Sequence, residues 1–143
     1  MIESILLVDD EDLFHLVFED ACSLLDITLS LRAINNAEEA EAHFKNIVDN
    51  NLRKPDCIFV DLNIIGSSYD GIELIRRINF EYGDGVVIGI ISSSDDENEQ
   101  SKALKAGAQF WIIKCDEIEP RLEEFKKDFS GYQQRTTPFK IYK

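Results

Sequence analysis

The chain has 143 residues, 44% of them hydrophobic and 30% charged, which is the composition of one globular domain large enough to bury a core. Its 28 acidic and 15 basic side chains give a formal net charge of −13, so neither nucleic acid nor an anionic membrane surface is an expected partner. No apolar run approaches the roughly 18 residues of a membrane helix, and the start of the chain lacks a signal-peptide pattern. The three cysteines have no metal-ligand spacing and fit reduced thiols, which predicts a cytoplasmic protein.

Four short apolar runs and one loosely alternating segment, residues 28–34, predict β-strands, since each is too short for a helix. They cover residues 4–8, 28–34, 57–60, 86–91 and 110–113. Apolar residues at helical spacing follow each run and predict five helices. In the first helix the predicted inward stripe has these members: Leu13, Leu16, Val17, Ala21 and Leu24, with Phe14 and Phe18 beside them.

Capping residues mark several helix ends. Asn36 and Ser94 each precede a glutamate by three residues, which is the capping-box spacing of a helix N-terminus. Gly107 follows a helical segment where a glycine cap is common, and Pro120 suits the first turn of the last helix. The alternation of strands and helices predicts a parallel sheet that is covered by helices on both faces.

Polar side chains follow four of the predicted strands at the point where each strand ends. Asp9 and Asp10 follow the first strand, Asp61 the third, Ser92 the fourth and Lys114 the fifth. Because the carboxyl ends of parallel strands share one edge of the sheet, we expect these groups to converge. Carboxylates that lie close together repel one another unless a cation neutralises them, and Mg2+ prefers oxygen ligands of this kind.

This combination of side chains predicts phosphoryl-transfer chemistry. An aspartate beside bound Mg2+ can attack a phosphoryl group and form an aspartyl phosphate. The transferred group carries charge on three oxygens, which Lys114, the Ser92 hydroxyl and the metal ion can each contact. We therefore single out Asp61, at the end of a short buried strand, as the leading candidate for the nucleophile.

The order of these motifs resembles that of a response-regulator receiver domain of two-component signalling, the single-domain kind typified by the chemotaxis regulator. The resemblance covers residues 3–129 and rests on these segments: Val8-Asp9-Asp10-Glu11, Val60-Asp61-Leu62 with the later Asp70-Gly71 turn, Ile91-Ser92-Ser93, Ala106-Gly107-Ala108 and Trp111-Ile112-Ile113-Lys114. It implies a flavodoxin-like, doubly wound α/β fold with a five-stranded parallel sheet of order 2-1-3-4-5 and five helices. It also implies a receiver domain at 1–130, followed by a basic tail at 131–143 and no output domain.

The resemblance further implies how the acidic residues act. Asp61 is the implied phosphoacceptor, and its donor is a histidine kinase or a histidine phosphotransfer protein. Mg2+ is implied to be held by Asp10, Asp61 and the backbone carbonyl of Asn63. Asp9 is implied to act mainly through water.

Three further residues take implied roles in the phosphorylated state. Lys114 and the Ser92 hydroxyl contact the phosphoryl group, and Trp111 occupies the aromatic switch position. Output is implied to pass through the face formed by the fourth helix, fifth strand and fifth helix to a downstream protein target. Self-catalysed phosphotransfer and dephosphorylation are the only chemistry expected, so the chain is not expected to be an enzyme otherwise.

The sequence departs from the family pattern beside the site. Cys115 follows Lys114 where the family usually has a cis proline, and a cis bond before a non-proline residue costs about 2.5–4 kcal/mol, so we expect a trans bond. Trp111 replaces the usual tyrosine or phenylalanine, and it is either a ring that turns inward or a partly exposed anchor for a partner. The loop from Asp61 to Asp70 is about two residues longer than usual, and it covers the site, meets a partner or is ordinary loop variation.

The tail at 131–143 combines apolar and aromatic residues with basic ones. Phe139, Ile141 and Tyr142 lie among Arg135, Lys140 and other polar residues. We expect this segment to be disordered or loosely packed. The alternative is a peptide that docks on an acidic surface of this domain or of a partner.

Two other functions compete with a phosphorylation switch. One is a phosphorylation-independent interaction module on the receiver fold, which Trp111 and the missing proline favour and the retained acids and Lys114 oppose. The other is an aspartate-nucleophile phosphatase, because Asp61-Leu62-Asn63 is similar to the D-x-D motif of that family. Asn63 lacks the second carboxylate that phosphatase chemistry needs as a general acid.

Overall fold

A computed structural model of the chain describes residues 2–82 and 85–143, except for the side chains of Thr28 and Leu29. Strands and helices alternate along it. In chain order the elements are β1 (Ile2–Val8), α1 (Asp12–Leu24), β2 (Thr28–Ile34), α2 (Ala37–Asp49), β3 (Cys57–Asp61), α3 (Gly71–Glu81), β4 (Val87–Ser92), α4 (Glu97–Ala106), β5 (Phe110–Ile113), α5 (Glu119–Gln133) and β6 (Lys140–Tyr142). Within these residues no helix has the length and apolar character that a membrane crossing requires.

The strands form one sheet in which neighbouring strands are parallel, with the order β2-β1-β3-β4-β5-β6. The predicted flavodoxin-like fold and the order 2-1-3-4-5 are therefore confirmed. Val8 at the end of β1 pairs with Val60, and Ser92 at the end of β4 pairs with Ile113. As a result, the carboxyl ends of β1, β3, β4 and β5 lie side by side at one edge of the sheet.

Both faces of the sheet are covered, which explains why the inner strands β3, β4 and β5 are mostly apolar without alternation. On β1, Ile5 and Leu7 belong to the core beneath α1 and α5, whereas Leu6 and Val8 belong to the core beneath α2, α3 and α4. Successive side chains of a strand point to opposite faces, so a strand buried on both sides needs apolar residues at every position. The two cores hold the strand ends in fixed positions, and the polar groups discussed below extend from those ends.

The inward face of α1 differs from the predicted one. Phe14, Phe18 and the small residues after them are buried, whereas Leu13, Leu16 and Leu24 are 74%, 60% and 75% exposed. The helix has two adjacent apolar stripes, and the aromatic stripe fills the core because the ring of Phe18 packs edge-on against the ring of Phe59 at 5.0 Å. The leucines are therefore left on the surface.

The cap predictions for Asn36 and Gly107 are confirmed, and the one for Ser94 is wrong. The Asn36 side chain accepts a hydrogen bond from a backbone N–H in the first turn of α2, and Gly107 adopts φ 105° after α4. Asp96, two residues after Ser94, caps α4 instead and accepts two backbone hydrogen bonds. The carboxylate of Asp96 also has the favourable charge for a helix N-terminus.

The segment after α5 adds a short sixth strand to the five predicted ones, so the prediction that this tail is disordered or loosely packed is wrong. β6 pairs with β5, where Trp111 lies opposite Ile141. Alternation explains this pairing, since Tyr142 packs against Phe125 on the α5 side while Ile141 packs on the opposite face. Tyr142 is fully buried. α5 itself extends to Gln133, beyond the predicted domain boundary at residue 130.

Candidate functional site

The structure brings together the polar residues that follow the strands. Asp9 follows β1, Asp61 ends β3, Ser92 ends β4 and Lys114 follows β5. Asp9, Asp61 and Ser92 are all buried. A buried carboxylate is costly unless it has a charged or hydrogen-bonding partner, so the fold depends on the interactions made here.

Lys114 is the cation at the centre of this group. Its Nζ lies 2.8 Å from Asp9 Oδ2, 2.8 Å from Glu11 Oε1 and 3.6 Å from Asp61 Oδ2, and its side chain is 9% exposed. The same nitrogen lies 4.3 Å from the centre of the Phe14 ring, which adds a cation–π contact. Burial alone would lower the pKa of Lys114, but its interactions with Asp9 and Glu11 raise the pKa above the ordinary value, so the amine is charged.

The surroundings of Asp9 and Asp61 disfavour the ionised form of both carboxyl groups. Burial raises the pKa of Asp61 to about 7, with a further contribution from the negative charge of Asp9, and Lys114 offsets only part of this. Burial likewise raises the pKa of Asp9. Asp9 Oδ2 contacts the Lys114 amine at ion-pair distance and has no other partner in the described chain. An additional cation would relieve both effects.

The donor atoms suit such a cation. One carboxylate oxygen each from Asp9, Glu11 and Asp61 lie within 4.8 Å of one another, and Mg2+ binds through carboxylate, carbonyl and water oxygens. Glu11 is an addition to the residues expected from the sequence. Asp10 is outside this group of described residues, although its charge helps to raise the pKa of Asp61. Asn63 lies two residues beyond Asp61, in the loop that follows β3, and its side chain is exposed.

Gly71 allows α3 to begin directly against the Asp61 backbone. A Cβ atom at Gly71 would lie 2.1 Å from the Asp61 carbonyl oxygen, which no side chain permits. The Gly71 N–H donates to the Leu62 carbonyl at 2.8 Å, and the Asp70 side chain caps α3. The Asp70–Gly71 turn therefore holds the end of β3, and with it the Asp61 carboxylate.

The family model for the response regulator receiver domain matches residues 5–123. The chain belongs to this family. No curated protein sequence matches it significantly. The match extends from β1 into α5, so it includes all the residues of the strand-end site described above.

Solved structures agree with this assignment at the level of the fold. The phosphorylated cyanobacterial phytochrome response regulator RcpA is 20% identical with a TM-score of 0.72, and the match covers 95% of this chain and 96% of that one. A response regulator from Thermotoga maritima is 25% identical with a TM-score of 0.72, covering 91% and 99%. The Mn2+-bound form of response regulator Rcp1 is 18% identical with a TM-score of 0.71, covering 90% and 92%.

Trp111, the residue at the predicted aromatic switch position, is fully buried in the core beneath α3 and α4. The prediction of a partly exposed anchor is therefore wrong. Its indole N–H donates to the Ser94 carbonyl at 3.0 Å, which satisfies the one polar group of the ring. The Ser94 N–H in turn donates to Ser92 Oγ at 3.2 Å. The three residues thus form a hydrogen-bonded connection between β4 and β5.

The long loop after β3 is hydrogen-bonded to α2. Ser67 Oγ accepts a hydrogen bond from the Ala37 N–H at 2.9 Å, and the Tyr69 hydroxyl donates to Glu41 at 2.5 Å. Ile65 remains exposed at the tip of the loop. These hydrogen bonds hold the loop against α2.

The residue after Lys114 behaves as expected in one respect. The Lys114–Cys115 peptide bond is trans, since the described part of the chain contains no cis bond. Cys115 Sγ donates to the Glu117 carbonyl at 3.2 Å and contacts the Arg121 guanidinium. No proline ring therefore constrains the backbone beside Lys114.

The residues that sequence reasoning missed are Glu11 and Phe14, which both contact the Lys114 amine. In the sequence, Glu11 is only the neighbour of the acidic pair, and Phe14 belongs to a predicted core stripe. Sequence spacing carries no signal for either contact, because Lys114 and Glu11 are 103 residues apart. The position of Glu11 directly after the acidic pair, at the same sheet edge, is the one available indication.

Proposed function

We propose that the chain is a response regulator in which Asp61 accepts a phosphoryl group from a histidine kinase or a histidine phosphotransfer protein, in a reaction that requires Mg2+. The observation that carries this proposal is the clustering of Asp61 with Asp9 and Glu11 oxygens within 4.8 Å, beside a lysine amine 3.6 Å from Asp61. The similarity to a phosphorylated response regulator, and to one bound to Mn2+, supports the same chemistry.

The proposed reaction moves one phosphoryl group between two side chains. An Asp61 carboxylate oxygen attacks the phosphorus of a phosphohistidine, the new O–P bond forms as the P–N bond breaks, and the released imidazole takes a proton from solvent. The carboxylate must be ionised to attack, and the nearby positive charge of Lys114 favours that form. Hydrolysis of the aspartyl phosphate by water returns the site to its starting state, and we propose no other turnover.

We propose the following roles for the residues around Asp61. The Lys114 amine lies close enough to Asp61 to contact one phosphoryl oxygen, and the buried Ser92 hydroxyl at the adjacent strand end can contact another. Bound Mg2+, held by Asp10, Asp61 and the Asn63 carbonyl with Asp9 nearby, would neutralise charge on the phosphoryl group. The buried Asp9 carboxylate and the raised pKa of Asp61 fit a site that takes up a cation.

The phosphodonor face, which we define as α1 residues Leu13 and Leu16 together with the adjoining cavity, is the proposed contact surface for the donor protein. Both leucines are mostly exposed, and the cavity of about 220 Å3 beside Leu13 is lined by Lys114 and Cys115 among others. Exposed apolar residues grouped beside a reactive site are typical of a protein interface. A donor docked here would bring its histidine to the open edge of the sheet.

The proposed output is a protein–protein contact on the face made by α4, β5 and α5. β6 forms the outer strand of that face, where Lys140 pairs with Glu124 at 2.7 Å and with Asp128 at 2.9 Å on α5. On the other side Lys143 lies 3.5 Å from Asp95, just before α4. We therefore propose that the downstream protein recognises a surface that includes β6.

Beryllofluoride, a phosphoryl mimic, provides the test. Trp111 is the sole tryptophan of the chain, so its fluorescence reports on this domain alone. With Mg2+ present, beryllofluoride is expected to change the Trp111 emission of the wild type and to leave Asp61→Asn unchanged. A wild type that gives no response and takes up no phosphate from acetyl phosphate would favour a phosphorylation-independent interaction module. Steady hydrolysis of added phosphomonoesters would favour a phosphatase.

A further inference from the structure

Lys114 has a long, flexible side chain, yet its amine is held at one point above Asp61. Two acidic groups contact the amine at 2.8 Å, and they differ in exposure. The Asp9 carboxylate is buried and the Glu11 side chain is 61% exposed, and the interactions with both raise the pKa of Lys114. Two charged contacts fix the amine more tightly than one, so removal of Glu11 leaves the amine held by Asp9 without its second carboxylate partner.

Glu11 is itself well fixed at its backbone. It precedes the first residue of α1 with φ −92° and ψ 102°, and its N–H donates to Asp9 Oδ1 at 2.8 Å. The Glu11 side chain then crosses the edge of the sheet to Lys114, which follows β5. The phenyl ring of Phe14, one helical turn later, supports the same amine from below. The segment from Asp9 to Phe14 thus provides three side chains that contact the Lys114 amine.

We propose that Glu11 is a positioning residue that aims the Lys114 amine at the phosphoryl group on Asp61. This inference rests on the proposed function. Residue 115 is a cysteine, so no proline ring constrains the backbone after Lys114. The side-chain contacts must therefore orient the amine. An ammonium group has three hydrogens, and Glu11 occupies one while the others remain available to Asp9 and to a phosphoryl oxygen.

A direct metal ligand is the other role that Glu11 could have, since one of its oxygens lies near those of Asp9 and Asp61. The three carboxylates differ in their exposure to solvent. The Glu11 side chain is 61% exposed and already accepts a hydrogen bond from Lys114, whereas Asp9 and Asp61 are buried. The buried pair is therefore the better counterpart for a cation, and Glu11 the better one for the amine.

The test compares Glu11→Ala and Glu11→Gln with Asp116→Ala. Asp116 is an exposed acid that lines the same cavity as Glu11, so its removal is the matched control for charge. With saturating Mg2+, beryllofluoride affinity measured by 19F NMR is expected to fall about fivefold in Glu11→Ala, as the loss of one charged, solvent-screened hydrogen bond predicts. Glu11→Gln retains a hydrogen-bond acceptor and should recover part of the affinity, and Asp116→Ala should match the wild type.

Two further readouts separate positioning from metal binding and from a general loss of structure. The 15N signal of the Lys114 ammonium group is expected in the wild type and lost in Glu11→Ala, while Mg2+ affinity without beryllofluoride stays unchanged. Weakened Mg2+ binding in Glu11→Ala would overturn the inference in favour of a ligand role. Wild-type beryllofluoride affinity in Glu11→Ala would overturn it as well. Failure of the wild type to bind beryllofluoride would instead refute the proposed function.

Discussion

The indole N–H of Trp111 donates a hydrogen bond to the backbone carbonyl of Ser94 at 3.0 Å. The Ser94 N–H also donates to Ser92 Oγ, so the ring is connected through one residue to the hydroxyl at the end of β4. A change in the position of the Ser92 hydroxyl therefore alters the polar surroundings of the Trp111 ring. We therefore expect the fluorescence of Trp111 to report on changes at Ser92.

The first prediction concerns that connection. Ser92→Ala removes the acceptor for the Ser94 N–H and the hydroxyl proposed to meet the phosphoryl group. We expect beryllofluoride binding, followed by 19F NMR, to persist while the accompanying change in Trp111 fluorescence falls to a small fraction of the wild-type change. Ser93→Ala, at an exposed neighbouring serine, is the control and should respond fully. A full response in Ser92→Ala would show that the ring senses the site by another route.

The second prediction is a pH-dependent gain in stability from Asp61→Asn in metal-free protein. The folded-state pKa of Asp61 is raised from 3.8 to about 7 by burial and by Asp9, so ionising this group disfavours the folded state. Near pH 3 both states carry the proton and the variant gains nothing. Between pH 4 and 7 the unfolded state loses its proton first, so the gain rises with pH and is complete above about pH 7.

At pH 8 this gain is expected to be roughly 2–4 kcal/mol in the free energy of unfolding, measured by urea denaturation with a chelator present. Millimolar Mg2+ should stabilise the wild type and reduce the difference, because the ion binds the folded state. An equal stability of the two proteins at pH 8 without metal would contradict the electrostatic picture of the site.

The third prediction tests β6. The buried Tyr142 hydroxyl is 2.7 Å from both the Tyr132 hydroxyl and Asp128 Oδ2, so Tyr142→Phe removes two hydrogen bonds from a largely buried network. We expect a loss of about 1–3 kcal/mol in the free energy of unfolding. Lys143→Gln removes an exposed ion pair of 3.5 Å and should change stability by less than about 0.5 kcal/mol. Wild-type stability in Tyr142→Phe would mean that β6 does not stay docked in solution.

The fourth prediction addresses the phosphodonor face. Replacing Leu16 by serine on the exposed side of α1 should leave stability within about 0.5 kcal/mol of the wild type. Phosphotransfer from a histidine phosphotransfer protein that serves the wild type is expected to slow about tenfold, because an apolar interface contact is lost. Uptake from acetyl phosphate, which needs no docking, should not change.

Leu24→Ser provides the matched control for that experiment. Leu24 is also mostly exposed on the same helix but lies at the end away from the site. Its replacement should affect neither phosphodonor. If both serine variants slow the protein donor alike, the docking surface is larger than the one proposed; if neither does, the donor docks elsewhere.

Much of the fold could be predicted because its signals are local. β3, β4, β5 and the second half of β1 are almost entirely apolar, as strands covered on both faces must be, and turn and cap residues such as Asn36 and Gly107 mark the ends of helices between the strands. The convergence of Asp9, Asp61 and Lys114 was also predictable. Each follows a strand, and parallel strands present their carboxyl ends at one edge.

The rest depended on contacts between distant parts of the chain. α1 has two apolar stripes of similar strength, and only packing against Phe59 decides that Phe18 is buried and Leu16 is not. β6 is three residues long and gains its stability from the edge of β5 and from Tyr132, which no local pattern contains. The Glu11–Lys114 hydrogen bond joins two loops at the edge of the sheet and has no signature in sequence spacing.

The most direct test of the account is to locate a phosphoryl group after incubation with acetyl phosphate and Mg2+. Reduction of the acyl phosphate with borohydride, followed by peptide mass spectrometry, marks the modified residue. The account predicts a single modified position, Asp61, with no modification in Asp61→Asn or when Mg2+ is chelated. Modification at another residue, equal modification without Mg2+, or none in the wild type would contradict it.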